Sequence, residues 1–412
     1  MPAKARLESK LSKQTQLFGH KVKEGPKKKA GKGKNSDEAA KFTAKDFTVL
    51  VKNVSSGLAE AKHEQDYPVV RTFFSAACRW LETPTAEANP VIGDAILKII
   101  KSVFPPAAKP PYDDYITEYS LNCLSQAVED GRLEKDVVGE QMISCLFDIL
   151  RTGDCSTARR LQILSTLIQL LTKSNKNKAL INADAFLPRL KALAALMRQA
   201  GDVESQISIM QILFRLLPKS SAGRVNFAHA LGLPERLAEI CGDHFHEDVR
   251  SFLKLINSGN DGLSKCPVFY KVREIHCLIT GHLAPTKLKI PEGLDTFWLD
   301  FDVDGISTEV ADPDEGETIS LHISYEKLSD WRIEEEPGGY KLFLALKEPV
   351  IIAGPDGSQQ DDPPTTNKLT VLIEDDPAAS AIDESVGRIL KGRDVVCFDL
   401  FALPRAQLTA LY

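Results

Sequence analysis

Two stretches of the chain repeat one another: LRTGDCSTARRLQILSTLIQLLTKS at 150–174 and MRQAGDVESQISIMQILFRLLPKS at 197–220, with a fainter third copy, CGDHFHEDVRSFLKLINS, at 241–258. Each copy reads as the end of one helix, a Gly-Asp turn and then an amphipathic helix. The Gly-Asp pairs begin at Gly153, Gly201 and Gly242, spaced 48 and 41 residues apart, close to the roughly 40–47 residues of an armadillo or HEAT unit. A unit of that size cannot bury its apolar face alone, so the echo predicts an α-solenoid in which stacked helix pairs share one core and present a long surface to partners.

Around the echo the pattern is helical from Lys45 to about Asn257, with apolar residues three and four apart in segments such as Val69–Trp80 and Val137–Leu150. After about Gly262 it alternates. Phe297 to Val303, Ile319 to Ile323, Tyr340 to Leu346 and Leu369 to Ile373 read as strands, separated by turn chemistry at Asp304-Gly305, Pro313-Asp314, Pro337-Gly338-Gly339 and Asp356-Gly357. A helical segment, Pro377–Lys391, follows. About seven antiparallel strands closed by a C-terminal helix outline a pleckstrin-homology-like β-barrel. The predicted class is therefore α+β and multidomain: a disordered basic tail at 1–40, an armadillo/HEAT-like α-solenoid at 41–260, the barrel with its C-terminal helix at 266–400 and a tail at 401–412, of which 395–412 is read as a final strand.

The 412 residues, 26% of them charged and 43% hydrophobic, are a globular composition with length enough for two cores. No apolar run reaches the roughly 18 residues of a membrane span. The lysine-rich start lacks the apolar core of a secretory signal, so the eight cysteines are expected as thiols in a reducing compartment. The net charge of −6 conceals three zones: +9 over residues 1–34, about zero in the middle, and −15 over residues 283–412. In the tail, Lys27, Lys28, Lys29, Lys32 and Lys34 form a basic run that reads either as a nuclear-import signal or phosphate contact, or as a solubilising tail. Without interleaved aromatics, any nucleic-acid contact there would be non-specific and salt-sensitive.

Motifs that carry chemistry are absent or fail on inspection. Asp300, Asp302, Asp304 and Gly305 open like an EF-hand loop, but the twelfth position is Ala311 where a bidentate Glu is needed, and the run lies in an alternating strand. These acids are expected on the solvent side, with Phe297, Leu299, Phe301 and Val303 facing inward; Trp298 is counted with the core. Cys241, His244, His246, Glu247 and Asp248 lack a second pair at zinc-finger spacing and read as a helix start, with Asp243 as its cap. Cys266, His276, Cys277 and His282 are scattered. The Gly25 and Gly31-Lys32 stretch departs from a P-loop in spacing and lacks the Ser or Thr. There is no Gly-x-Ser-x-Gly elbow, His-Glu-x-x-His or Rossmann glycine set. Enzyme activity has no visible carrier, and no cofactor, metal or small-molecule substrate is called for. Trp331, beside Arg332, is expected to be partly exposed, and the two are candidate partner contacts.

A helical repeat followed directly by a barrel, with the joining text VFYKVREIHCLITGHLAPTKLKIPEGLDTFWLDFDV at 268–303, resembles the N-terminal region of the synaptonemal complex protein 2 family. The likeness is strongest from about Glu204 to Lys391 and includes QISIMQILFRLL, EDVRSFLKLIN, KIPEGLDTFWLDF and NKLTVLIEDD. It implies an armadillo-like domain, a pleckstrin-homology-like domain similar to the middle domain of a FACT histone-chaperone subunit, and a non-enzymatic scaffold role in the nucleus, on the axis of meiotic chromosomes. It also implies HORMA-domain and filament-forming axis proteins as partners, and no membrane. The chain has no sustained heptads, so filament assembly is not carried over. The −15 segment disfavours anionic lipid and DNA and favours a basic partner, which keeps open a histone-binding, chaperone-like role outside meiosis.

Overall fold

The computed structural model describes residues 114–129, 131, 133–151, 155–258, 267–279, 284–292, 294–311, 318–351, 365–373 and 396–397, with Leu97, Ile100 and Ile382. The basic tail, the Val69–Trp80 segment, the Gly153-Asp154 turn and most of 377–391 lie outside them. Eight α-helices and ten strands fall among the described residues, in two compact units: one holds residues up to Leu196 together with Ser208–Ala238, the other Met197–Ile207 together with residues from Glu239 onward.

In the first unit, α1 (Asp114–Glu129), α2 (Lys135–Arg151), α3 (Thr157–Leu171), α4 (Asn175–Ile181), α5 (Leu187–Gln199), α6 (Val203–Leu216) and α7 (Ser221–Ala230) follow one another, the division falling within α5 and within α6. The three-and-four spacing of Val138, Met142, Ile143, Leu146 and Leu150 gives α2 its buried stripe, and Asp136 and Arg151 suit the ends of its dipole. Ser156 caps α3 by accepting from the Arg159 N–H, and Ser174 caps α4 by accepting from the Asn177 N–H at 3.0 Å. Helix α1 packs on α3, and α2 packs on α3 and α4.

Polar bonds recur at nearly the echo's own spacing. Gln162 donates to Asn122 (2.5 Å), Gln169 to the Ser125 carbonyl (3.0 Å), Lys135 and Thr172 join through the Thr172 carbonyl (3.0 Å), Arg189 forks onto Asp148, and Arg215 donates to Thr172 Oγ1 (3.3 Å). These partners stand 37 to 44 residues apart. Each bond thus joins helical segments roughly one echo spacing apart in the chain.

The second unit contains α8 (Phe245–Ser258) and strands β1 (Val268–Val272), β2 (Glu274–Ile279), β3 (Thr286–Lys287), β4 (Phe297–Phe301), β5 (Gly305–Ala311), β6 (Thr318–Ser324), β7 (Leu328–Glu336), β8 (Gly339–Ile351), β9 (Thr365–Ile373) and β10 (Val396–Cys397). A four-stranded sheet runs β1-β4-β5-β6 and a six-stranded one β10-β7-β8-β9-β2-β3, every pairing antiparallel except β10 with β7. The two sheets share one core that includes Phe297, Phe301, Tyr325, Trp331, Leu344 and Val371. They also share chain. Only Arg273 separates β1 from β2, its N–H bonded to the Leu372 carbonyl at 2.8 Å, and one 3-10 turn, Tyr325–Lys327, leads from β6 into β7. A bridge between Lys289 and Ala311 ties the stretch after β3 to β5. The β7–β8 hairpin turns through Gly338 at φ 92°, a conformation that favours glycine.

Several expectations meet the structure here. The strands are more numerous than the alternation suggested, because short β3 and β10 leave no periodic trace and β1 and β2 are one run broken at Arg273. Among the described residues they form two sheets rather than one closed ring. The third echo copy is preceded by a 3-10 turn, Glu235–Glu239, rather than an α-helix. Ile382, from the expected C-terminal helix, is helical and fully buried in the sheets' core. The expected final strand at 395–412 is seen as β10, the rest lying outside the described residues.

Candidate interaction site

The acidic residues of β4 were expected in solvent, and the structure corrects this. Every residue of β4 is buried, with Asp300 and Asp302 8% and 4% exposed, while Val303, expected inside, is 36% exposed. Phe297, Leu299 and Phe301 do point into the core between the sheets. The alternation holds; the outer face is covered. Residues at the start of α6 and along α8 lie over it, giving the second unit three layers: helix, four-stranded sheet, six-stranded sheet.

Arg250 of α8 forks onto Asp300, with Nη1 2.5 Å from Oδ1 and Nη2 3.0 Å from Oδ2. Its guanidinium lies 4.5 Å from the Trp298 ring centroid and 5.1 Å from that of Phe269. Those two rings meet edge to face. Trp298 is thus buried as expected, but on the helix side of β4. Lys271 reaches over the outer part of Trp298 and pairs with Glu247. Burial pushes the Asp300 carboxyl up, and Arg250 pulls it back. An arginine keeps its charge at any working pH, so the fork is an ion pair.

Two residues along, Asp302 Oδ1 accepts from the Val203 N–H at the first residue of α6 (2.8 Å), and Oδ2 accepts from Ser307 of β5 (2.8 Å). Beside it the Val303 N–H donates to the Gly201 carbonyl at 2.8 Å. Asp202 caps the same helix from within by accepting from the Ser205 N–H at 2.6 Å. Burial, with Asp300 and Asp202 close by, lifts the Asp302 carboxyl to about 7 against the pull of its two donors. A buried amide pair completes the layer: Gln206 and Asn257 bond each other reciprocally, and Asn257 also donates to the Pro267 carbonyl at 3.0 Å. These bonds explain why 197–207 and α8, read from sequence as part of the helical domain, group with the sheets.

Trp331 was expected to be partly exposed; it is 2% exposed, in the core between the sheets, so it offers no contact surface. Its place two residues from buried Ile333 turns it inward, and its indole N–H has no hydrogen-bond partner. Arg332, on the opposite face of β7, lies 4.7 Å from the Phe343 ring centroid and pairs with Glu334 at 2.9 Å. His276 and Cys277 alternate along β2, the thiol in the core and the imidazole paired with Glu274 at 2.9 Å, so they do not converge. At the start of α8 the carboxylate of Asp248 accepts from the Cys241 N–H at 2.8 Å, and Glu247 and Asp248 occupy the first turn. Lys27, Lys28, Lys29, Lys32 and Lys34 lie outside the described residues.

Sequence reasoning missed the Arg250 and Asp302 contacts. The signal available was on α8, whose buried face Val249, Phe252, Leu253 and Ile256 also carries Arg250 and Asn257. Two polar residues on an apolar stripe require polar partners in the layer beneath.

A family model described as a repeat of unknown function (DUF8079) matches residues 49–256. A synaptonemal complex protein 2-like protein of Xenopus laevis is 24% identical over 263 residues, covering 58% of this chain and 24% of that protein, so the chain spans about a quarter of that curated relative. A solved structure described as a synaptonemal complex protein matches with a TM-score of 0.57 at 16% identity, covering 85% of this chain and 87% of that one; at that identity the likeness concerns the fold. The resemblance to the synaptonemal complex protein 2 family is borne out by these two matches.

Proposed function

The chain belongs to the family described as a repeat of unknown function (DUF8079), and from that premise we propose that it is a non-enzymatic structural component of the meiotic chromosome axis, a scaffold of the synaptonemal complex in the nucleus. The observation that carries this reading is the likeness to synaptonemal complex proteins in both sequence and fold. The first unit acts as an armadillo/HEAT-like solenoid surface, which the bonds between helical segments about 40 residues apart support. The second acts as a pleckstrin-homology-like module whose two sheets share one core. Partners under this reading are the HORMA-domain and filament-forming axis proteins, with chromatin contacted through the basic run Lys27–Lys34 and Arg332 offered at the outer face of β7. Tagging the protein in its own organism and imaging spread meiotic chromosomes beside a cohesin marker tests it: linear axial signal in prophase is expected, and diffuse nuclear signal would sink it.

A second reading, a histone-binding module acting outside meiosis, is favoured by the −15 charge of residues 283–412. It predicts affinity for histone tetramers that is lost at high salt, because pairing of exposed charges is screened.

A further inference from the structure

We propose that the free edge of β6 pairs antiparallel with the same edge of a second copy of this chain, joining two four-stranded sheets across a two-fold axis at Leu321. The inference goes beyond the scaffold reading and does not depend on it.

An edge strand presents a row of unpaired backbone groups, and sheets ordinarily guard such rows with very short strands, charges or proline. Among the described residues four strands are edges: β1 and β6 of one sheet, β3 and β10 of the other. The β3 and β10 strands are two residues each, and β1 carries exposed Lys271. By contrast β6, Thr-Ile-Ser-Leu-His-Ile-Ser over Thr318–Ser324, is seven residues long with no proline, lysine, arginine or acid. Its register against β5 settles which groups are free. The Tyr325 N–H donates to the Asp304 carbonyl at 3.0 Å, one step beyond the pairing of Gly305 with Ser324. Bonded pairs alternate with non-bonded ones along an antiparallel ladder. Ile319, Leu321 and Ile323 therefore turn their N–H and C=O toward β5, while Thr318, Ser320, His322 and Ser324 turn theirs to the free edge.

The strand is also close to a palindrome about Leu321. Set antiparallel against a second copy with Leu321 opposite Leu321, it places Ser320 opposite His322 and Thr318 opposite Ser324, each in both directions. Those four pairs are the ones whose backbone groups face the free edge, so each exchanges two N–H to C=O bonds. Leu321 and Ile323 lie on the core side of the strand, and Ser320 and His322 are exposed on the other. The join therefore sets a hydroxyl beside an imidazole, which can be matched as donor and acceptor in either tautomer, and it sets no charge against its like. A two-fold pairing uses up both edges and closes at two copies. This self-match, which a strand adapted to a foreign peptide does not need, selects a second copy as the occupant.

Sedimentation velocity of the full chain across a dilution series reads the association: the average mass is expected to rise reversibly toward twice that of the chain, with no larger species. Ser320→Lys with His322→Lys sets lysine against lysine at the join and should weaken the dimer about tenfold or more. Ser320→Glu with His322→Glu should do the same, and mixing the two variants should restore the dimer, because each lysine then faces a glutamate. A chain that stays monomeric up to about 100 µM, a dimer indifferent to the lysines, or a mixture that does not recover overturns the proposal. Both substituted side chains are exposed; should a variant still fail to fold, residue-resolved hydrogen exchange of the wild type decides. The Ser320, His322 and Ser324 amides should slow as concentration rises, and rates that do not change refute the pairing. Slowing that appears only on adding an extended lysine-rich peptide refutes it too, and assigns the edge to a basic partner.

Discussion

Removal of the Arg250 side chain is the sharpest test of how the helix layer is held to the four-stranded sheet. Arg250 and Asp300 are 5% and 11% exposed at their side chains, and Arg250→Ala leaves a carboxylate with no cation in a dry layer. Breaking one half of a buried pair costs about 3–5 kcal/mol, and the contacts with Trp298 and Phe269, which belong to the same loss, account for about 1–2 kcal/mol of it. Without its cation the Asp300 carboxyl is raised above its unfolded value by burial alone, so the variant is least handicapped in acid. Its deficit should grow as pH rises above the ordinary carboxylate range, by at most about 1.4 kcal/mol per pH unit. The pair itself is worth much less than its breakage costs, because the Arg250 Nε finds no acceptor and desolvation of two charges offsets their attraction. Arg250→Met with Asp300→Leu should therefore fall within about 1 kcal/mol of wild type. Urea unfolding followed by indole emission suits the measurement, since Trp298 and Trp331, two of the three tryptophans, lie in the second unit. A single substitution costing under about 1 kcal/mol, or a double one as damaging as the single, would refute the reasoning.

Three other substitutions probe separate joints. Gly139→Ala in α2 puts a methyl on the carboxamide of Asn177, which donates to the Lys135 and Leu170 carbonyls at 3.1 and 2.9 Å; expulsion of that amide should cost about 2–4 kcal/mol in thermal unfolding of the first unit. Trp331→Phe should cost less than about 1.5 kcal/mol, because the indole N–H it loses has no partner, whereas Trp331→Ala should cost about 3–5 kcal/mol by leaving a cavity; equal costs in denaturant would show that the N–H is bonded after all. Gly201→Ala brings a Cβ to 2.7 Å from Val303 Cγ2 and should loosen the α6 turn by about 1–3 kcal/mol, with partial recovery on adding Val303→Ala, both read as exchange of the Val203 to Gln206 amides.

Periodicity made much of this legible. The apolar set Phe297, Leu299 and Phe301 could be placed inward from alternation alone, and the echoed Gly-Asp pairs mark the starts of α6 and α8. Alternation states which residues share a face but not what lies over it. Asp300 and Asp302 have the pattern of a solvated face, and a helix some 50 residues earlier in the chain, with a helix start some 100 residues earlier, makes that face dry. Trp331 was legible and was read against its own pattern: Ile333 is its apolar partner in alternation, and the charge of Arg332 belongs to the opposite side of the strand, whereas buried Leu328, three residues back, joins that face only through the register shift before Asp330. The short strands β3 and β10 were not legible, since two residues carry no period.

The echoed turn has been put to two uses. At Gly242-Asp243 the turn is exposed, and the start of α8 is tied by Asp248 to the Cys241 N–H. At Gly201-Asp202 the turn is buried in part and receives the end of β4, which a glycine permits because any Cβ there would meet Val303. A turn that in a plain repeat needs only to reverse the chain thus becomes a seat for a strand about 100 residues away. The sheets in turn have accepted Arg250, Val203 and Asn257 as partners for Asp300, Asp302 and the Pro267 carbonyl. A piece begun at residue 266 would lose all three of those donors and bare the outer face of β4, with the Trp298 and Phe269 rings, to water. The smallest self-sufficient form of the second unit therefore includes 197–207 and α8, and these two helical segments contribute to the sheets' stability through specific polar partners as well as through apolar cover.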